Sequence, residues 1–211
     1  MGRLVIYGAG GFGREVVTAA RNCGSEILFL SDGPAVSVPG VTIISAADLR
    51  DDDEIVIAVA DPQTRKRLAE GVRLAGTVIA PTAIVGARVR LGGGAIICDF
   101  AITTSDVWIG SHFHCNTHST IGHDCVVGDF VTFGPHVSCN GNVHIGDGAR
   151  IGAGATIMNG TPRKPLRIGA GAVVGIGSVV MRNVPAGCTV FGNPATIVKR
   201  PAADPAASAQ E

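Results

Sequence analysis

From Ile79 to Ile157 every sixth residue is reserved for an interior. The series runs Ile79, Val85, Leu91, Ile97, Thr103, Ile109, Cys115, Ile121, Val127, Phe133, Cys139, Ile145, Ile151, Ile157, and eleven of these fourteen are Ile, Val, Leu or Phe. The next residue of the hexad is Gly at 86, 92, 110, 122, 128, 134, 146 and 152, and Asn at 116 and 140. Those two residue types bend a chain through left-handed backbone angles at least cost, so a turn is predicted there. The fifth position is small or branched, as at Ala83, Val89, Ala95, Val107, Cys125, Val131, Val143 and Ala155. Such a unit buries nothing by itself. It must stack on copies of itself, which predicts a parallel β-helix of hexapeptide repeats.

The register slips once. Between Ile157 and Ile168 the spacing is eleven, and the intervening Asn159-Gly-Thr-Pro-Arg-Lys-Pro-Leu-Arg167 reads as a loop. The hexad then resumes at Ile168, Val174 and Val180. Residues 1–75 lack it altogether and alternate strand with helix. Strands are predicted at Arg3–Tyr7, Glu26–Leu30 and Glu54–Ala60, and helices at Arg14–Cys23 and from Pro62 to about Leu74. Asp61 caps the second helix and Pro62 opens its first turn. The predicted fold is a small Rossmann-like α/β lobe over 1–75, the solenoid over 76–198, and a disordered Pro/Ala-rich tail over 199–211.

Composition narrows the partners. A formal net charge of zero gives no footprint for nucleic acid. No run reaches the roughly 18 apolar residues that cross a bilayer, and Leu4–Tyr7 is too short for a secretory leader. The six cysteines form no CxxC pair. Cys115, Cys125 and Cys139 fall on core positions and read as buried thiols in a reducing cytoplasm.

Gly8, Gly10 and Gly13 form GxGxxG after a strand and before a helix, with Asp32 at the end of the second strand. A tight turn packing helix on sheet accounts for the glycines in structural terms. The lobe is too small for a full dinucleotide domain, but backbone amides at a helix N-terminus suit the pyrophosphate of a nucleotide-linked sugar equally well. Six histidines lie at 112, 114, 118, 123, 136 and 144. With about eighteen residues per coil, His118 stacks on His136, and His123 lies beneath Gly141. A glycine there leaves open volume and an unshielded N–H beside the imidazole. The other five histidines read as surface residues, His118 and His136 alternatively as lining a groove between subunits.

Four segments carry a family resemblance: Gly8-Ala-Gly-Gly-Phe-Gly13-Arg-Glu, Asn116-Thr-His-Ser-Thr-Ile-Gly-His123-Asp124, Gly141-Asn-Val-His-Ile-Gly146 and Gly192-Asn-Pro-Ala195. With them the chain resembles the left-handed β-helix acyltransferases. Within that group it is similar to the trimeric bacterial N-acetyltransferases of nucleotide-linked amino sugars and their kin, the sialic acid O-acetyltransferases. The resemblance implies a left-handed solenoid, a cytoplasmic homotrimer and acetyl-CoA as co-substrate. It implies His123 as general base, with Asp124 raising its basicity, Asn116 near the acceptor and the Gly141 N–H aimed at the thioester oxygen. It places Gly10, Gly11, Phe12, Ser31, Asp32 and Ala60 against the nucleotide-sugar, and Thr132, Gly141, Ala153 and Ile176 against the coenzyme. Phe12 stands where a histidine is common in the family. Arg163, Lys164 and Arg167 are candidates for the coenzyme's phosphates on charge alone. Attack is direct, because the hexad position of Cys125 turns it into the core.

Three other readings are weighed against this one. A sugar O-acetyltransferase would use the same base on a hydroxyl. In a non-catalytic nucleotide sensor the solenoid would serve only for assembly. The γ-type carbonic anhydrases share the fold and bind zinc through histidines. Here, however, His118 and His123 sit at different hexad positions with no clear third ligand, so no metal is expected.

Overall fold

The computed structural model describes residues 2–22, 26–31 and 39–201. The N-terminal lobe runs β1 (Arg3–Tyr7), α1 (Gly11–Ala19), β2 (Glu26–Leu30), β3 (Thr42–Ile44), β4 (Glu54–Ile57) and α2 (Pro62–Ala69). Its strands are all parallel, in the order β3-β2-β1-β4. The apolar run of β1 holds the centre, with Val5 and Ile6 fully buried. Asp61 accepts the Thr64 N–H at 2.8 Å, which fixes the start of α2 where the cap and proline predicted it.

Several boundaries differ from expectation. α1 begins at Gly11 rather than Arg14, so the glycine-rich segment forms the helix's first turn. β4 ends at Ile57 and α2 at Ala69, short of the expected Ala60 and Leu74. β3 was not anticipated, since three residues are too few to show a period. Asp32 and Cys23 lie outside the described residues, as do residues 202–211 of the expected tail.

The solenoid is three-sided. Among the described residues its faces hold eight, six and five short strands, each pairing in parallel with the one a coil away except the last, Thr196–Lys199, which folds back antiparallel on Thr189–Phe191. One coil shows the plan. His114–Cys115 lies on the eight-stranded face, Thr120–Ile121 on the six-stranded face and Val126–Val127 on the five-stranded face. These pair in parallel with Thr132–Phe133, Ser138–Cys139 and Val143–Ile145 of the next coil. The sixth-residue series fills the interior: Ile121, Phe133 and Ile157 are fully buried. Phe113 meets Phe133 edge to face, centroids 5.3 Å apart. Each such side chain contributes about 1.5–3 kcal/mol of burial.

The corners turn differently from the prediction. Left-handed backbone falls on the fourth hexad position, for example at His118 (φ 59°), Asp124 (φ 57°) and His136 (φ 57°). The second-position glycines serve close approach instead. A Cβ at Gly122 would come within 2.6 Å of Asn140 backbone on the next coil, and one at Gly134 within 2.7 Å of the Ala153 nitrogen. At these glycines the coils approach so closely that no side chain fits.

The lobe lies on the eight-stranded face. Arg65 of α2, fully buried, donates to the carbonyls of His112 (3.0 Å) and Phe130 (2.6 Å) and to the Thr132 hydroxyl (2.9 Å). Arg21, in the turn just after α1, pairs with Asp99 at 2.9 Å. This docking corrects the surface reading of two histidines. His114 is 1% exposed, with Nε2 bonded to the Ile57 carbonyl at 2.9 Å, and His112 is buried in a stack on Phe130. Their strand face is the one the lobe covers. His118 and His136 are exposed and stacked, centroids 4.9 Å apart.

Candidate active site

His123 and Asp124 occupy the corner between the six- and five-stranded faces. The left-handed backbone at Asp124 folds its carboxylate back, and Oδ2 meets His123 Nδ1 at 2.6 Å. That hydrogen bond raises the pKa of His123 above the ordinary histidine value, with the negative charges of Asp124 and Asp106 adding to it. With Nδ1 held by the carboxylate, Nε2 is the nitrogen left for chemistry.

Gly141 sits directly above. A Cβ there would lie 2.7 Å from His123 Nε2, so the imidazole itself fills the notch that the sequence suggested was open. The Gly141 amide shares its lack of an acceptor with several equivalents, Ala87, Ser105, His123 and Ala153 among them. Others at the same hexad position are used: Ser111 donates to Asp129 (2.7 Å), Asp129 to Asp147 (2.9 Å) and Thr117 to the Asn116 side chain (2.8 Å). Among the described residues nothing accepts from the Gly141 N–H. The exposed His123 imidazole therefore packs over the buried Gly141, whose amide is unused. The loop after Ile157 rises at this same corner: Gly160 donates to the Gly141 carbonyl at 3.0 Å, and Arg163 and Lys164 are exposed beyond it. Cys125 is buried, its Sγ donating to the Asn140 carbonyl at 3.2 Å, and takes no part in the exposed corner.

A second group forms where the lobe meets the solenoid. A cavity of about 230 Å³ opens between Phe12 and Glu15 of α1, Ala60, and His114, Asn116 and Thr132 of the solenoid. It brings together Phe12, Ala60, Asn116 and Thr132 from the sequence-predicted set. Thr132 was expected against the coenzyme. Its hydroxyl instead accepts from Arg65 and donates to the Ala60 carbonyl at 3.2 Å. Gly8, with φ 110°, and Gly13, whose Cβ would run into the Gly8 carbonyl, are required by the fold. No atom lies within 4 Å of a Cβ built on Gly10, and Gly11 is nearly as free. Packing explains the outer glycines of the motif, whereas Gly10 and Gly11 face open space at a helix N-terminus. Ser31 is half-buried at the end of β2.

The structure does not bring these two groups together within one chain. Asn116 lies on the corner between the eight- and six-stranded faces, whereas His123 lies on the next corner, across the six-stranded face. Ala153 and the exposed Ile176 share the Asn116 corner, so the coenzyme set is divided from Gly141 in the same way. Sequence reasoning missed His114 in the cavity wall and Arg65 behind it. Arg65 carries a faint signal, sharing a helical stripe with the buried Pro62 and the half-buried Leu68. Among the described residues no group of three His, Cys, Asp or Glu side chains is placed to hold a metal ion. Likewise, no helix is long and apolar enough to cross a membrane.

A three-sided hexapeptide solenoid carrying a small parallel α/β lobe is the architecture expected of the left-handed β-helix acyltransferases. Comparison with known proteins bears this out. Residues 3–72 match the PglD N-terminal domain family. The chain is 41% identical over 211 residues to the GDP-perosamine N-acetyltransferase of Escherichia coli O157:H7, covering 92% of this chain and 96% of that one. WeeI from Acinetobacter baumannii AYE superimposes with a TM-score of 0.86 at 40% identity, over 94% of this chain and 100% of that one. PerB from Caulobacter crescentus, solved in complex with CoA and GDP-perosamine, gives a TM-score of 0.83 at 30% identity, over 94% and 98%. On that identity and coverage the chain belongs to the hexapeptide-repeat sugar N-acetyltransferase family.

Proposed function

We propose that the protein moves acetyl from acetyl-CoA to the amine of a nucleotide-linked amino dideoxy sugar, with GDP-perosamine, named in its relatives, as the first candidate. The reading gives the lobe (1–75) the nucleotide and the solenoid (76–198) the transfer, in a cytoplasmic homotrimer serving a bacterial surface glycan. The observation that carries it is the His123 Nε2 beside the unused Gly141 amide.

The amine nitrogen attacks the thioester carbonyl carbon. His123 Nε2 takes the proton that the nitrogen must lose, and Asp124 stabilises the imidazolium that forms. The Gly141 N–H donates to the thioester oxygen as it becomes negative. The C–S bond then breaks, and the proton held by His123 passes to the departing thiolate. No acyl-enzyme is needed, because the nearby Cys125 thiol is buried away from the corner.

A homotrimer resolves the division of the site. One copy would present Phe12, Ala60, Asn116, Ala153 and Ile176, and its neighbour would present His123, Asp124 and Gly141. The exposed apolar side chains Ile84, Val85, Met158 and Met181, along the six-stranded face and the His123 corner, suit a neighbouring copy. The coenzyme's pantetheine arm would lie in the groove between copies, with Arg163 and Lys164 at its phosphate end.

The deciding assay is release of free thiol from acetyl-CoA against UDP-, GDP- and dTDP-linked amino sugars. Turnover is expected with one nucleotide, GDP foremost. Silence across the panel from protein that binds acetyl-CoA would transfer the reading to a hydroxyl acceptor, and silence without coenzyme binding would end it.

The pH profile follows from the raised His123 pKa. A general base must be unprotonated, so the acid limb of kcat/KM should lie above the ordinary histidine value. Removing the carboxylate lowers the pKa, so Asp124→Asn should move that limb to lower pH while reducing the plateau. Asparagine tolerates the left-handed backbone, so the turn is kept. A limb that stays in place would dissolve the His123–Asp124 pair as the catalytic unit.

A further inference from the structure

Resting on the function proposed above, we infer that Arg65 is the positioning residue of the acceptor cavity, setting the nucleotide-binding loop against the solenoid through its guanidinium fork. The argument begins with what a buried cation requires. Arg65 is fully buried, and among the described residues it has no carboxylate within ion-pair distance. A lone guanidinium is costly to bury unless every N–H finds an acceptor. Here they do.

Nε donates to the His112 carbonyl at 3.0 Å. Nη1 donates to the carbonyls of Val59 (2.8 Å) and Ala60 (3.2 Å), and Nη2 to the Phe130 carbonyl (2.6 Å) and the Thr132 hydroxyl (2.9 Å). These acceptors come from two separate parts of the chain. Val59 and Ala60 belong to the loop between β4 and α2, whereas His112, Phe130 and Thr132 belong to the solenoid. One planar group therefore fixes both sides of the junction in a single geometry, which a lysine ammonium with three donors cannot reproduce.

The same fork reaches the cavity wall by two routes. Thr132, held by Nη2, hands its own hydroxyl hydrogen to the Ala60 carbonyl at 3.2 Å. His114 Nδ1 lies 3.4 Å from Nη1 while its Nε2 faces the Ile57 carbonyl. A carbonyl can only accept, so Nε2 carries the hydrogen and Nδ1 is left to share a hydrogen of Nη1 with the loop carbonyls. Burial, with the Arg65 charge beside it, holds His114 well below the ordinary histidine pKa, in keeping with a neutral ring of that one tautomer. Against that ring lies Phe12 of α1, centroids 5.0 Å apart. Ala60, Thr132, His114 and, through His114, Phe12 thus take their places from one side chain that does not itself line the cavity.

The test is Arg65→Lys, which keeps the charge and loses the fork. With the nucleotide-linked amino sugar as variable substrate, kcat/KM is expected to fall about 10²-fold, the scale of an ångström-sized misplacement. The affinity for acetyl-CoA, measured by equilibrium binding, is expected to stay at the wild-type value. Arg65→Ala leaves a guanidinium-sized void, so added guanidinium ion is expected to restore part of its activity while ammonium is not. Three results overturn the inference: wild-type kcat/KM in Arg65→Lys, acetyl-CoA affinity falling in step with activity, or equal rescue by ammonium. A general loss of fold would give the second of these, without selective guanidinium rescue. If the wild-type protein acetylates no nucleotide-linked amino sugar, the function proposed above fails and this inference with it. An active wild type with an unimpaired Arg65→Lys variant removes this inference alone.

Discussion

His123→Ala is expected to lower kcat by about 10²–10⁴ while the fold and acetyl-CoA binding remain intact. The separation is possible because of where the side chain sits. It is 60% exposed on a corner, so its removal opens no cavity in the core. The column beneath the corner stays in place, with Asp106 held by Arg88 at 2.6 Å and the Asp124 N–H donating to the Ser105 carbonyl at 3.3 Å. The Gly141 amide also remains, so a fraction of the catalysis from oxyanion stabilisation and proximity should survive. Melting temperature, coenzyme binding and steady-state rates together decide the matter. Wild-type kcat in a folded variant would remove His123 as the base. An equal loss of coenzyme binding would make it a packing residue of the groove.

The site was legible to different depths for physical reasons. The interior series was plain because each coil must send the same position inward, and Ile121, Phe133, Ile157, Ile168 and Val174 are all buried. The corners were harder to read. The chain spends its left-handed angles at the fourth position on Phe100, Asp106, His112, His118, Asp124, Phe130 and His136 as well as on Gly94, Gly148 and Gly154, while the second-position glycines mark lack of room. Composition therefore pointed to the correct turn for the wrong reason.

What no hexad position could say is which face the lobe would cover. His114, Thr120 and Val126 occupy equivalent places in consecutive hexads, yet only His114 is sealed under Arg65 and β4. Its burial is a product of docking between parts far apart in sequence. Arg65 escaped notice for the same reason, since an arginine beside Lys66 and Arg67 reads as one more solvated charge. The His123 and Gly141 relation, by contrast, was visible because one coil's length separates them. The repeat converts that length into a contact.

Mixing two inactive variants should restore activity, and by a predictable amount. Gly10→Trp would fill the space above the α1 N-terminus, where no atom lies within 4 Å of a Cβ, so it should block the nucleotide without disturbing packing. His123→Ala removes the base. In the proposed homotrimer each variant alone leaves every site defective. Co-expressed under two affinity tags, the two variants assort at random. In any trimer that holds both variants, a site built from the cavity of one copy and the corner of its neighbour is then intact at about one junction in three, whichever variant is in the majority. Doubly tagged protein should thus show about that share of wild-type kcat, with wild-type KM values at the restored sites. The geometry demands this result if the six-stranded face separates the two half-sites within each copy. Recovery of no activity in verified mixed trimers would place Asn116, His123 and the cavity in a site within one chain. The corner carrying His123 would then have to reach its own cavity by a movement the solenoid's backbone ladder opposes.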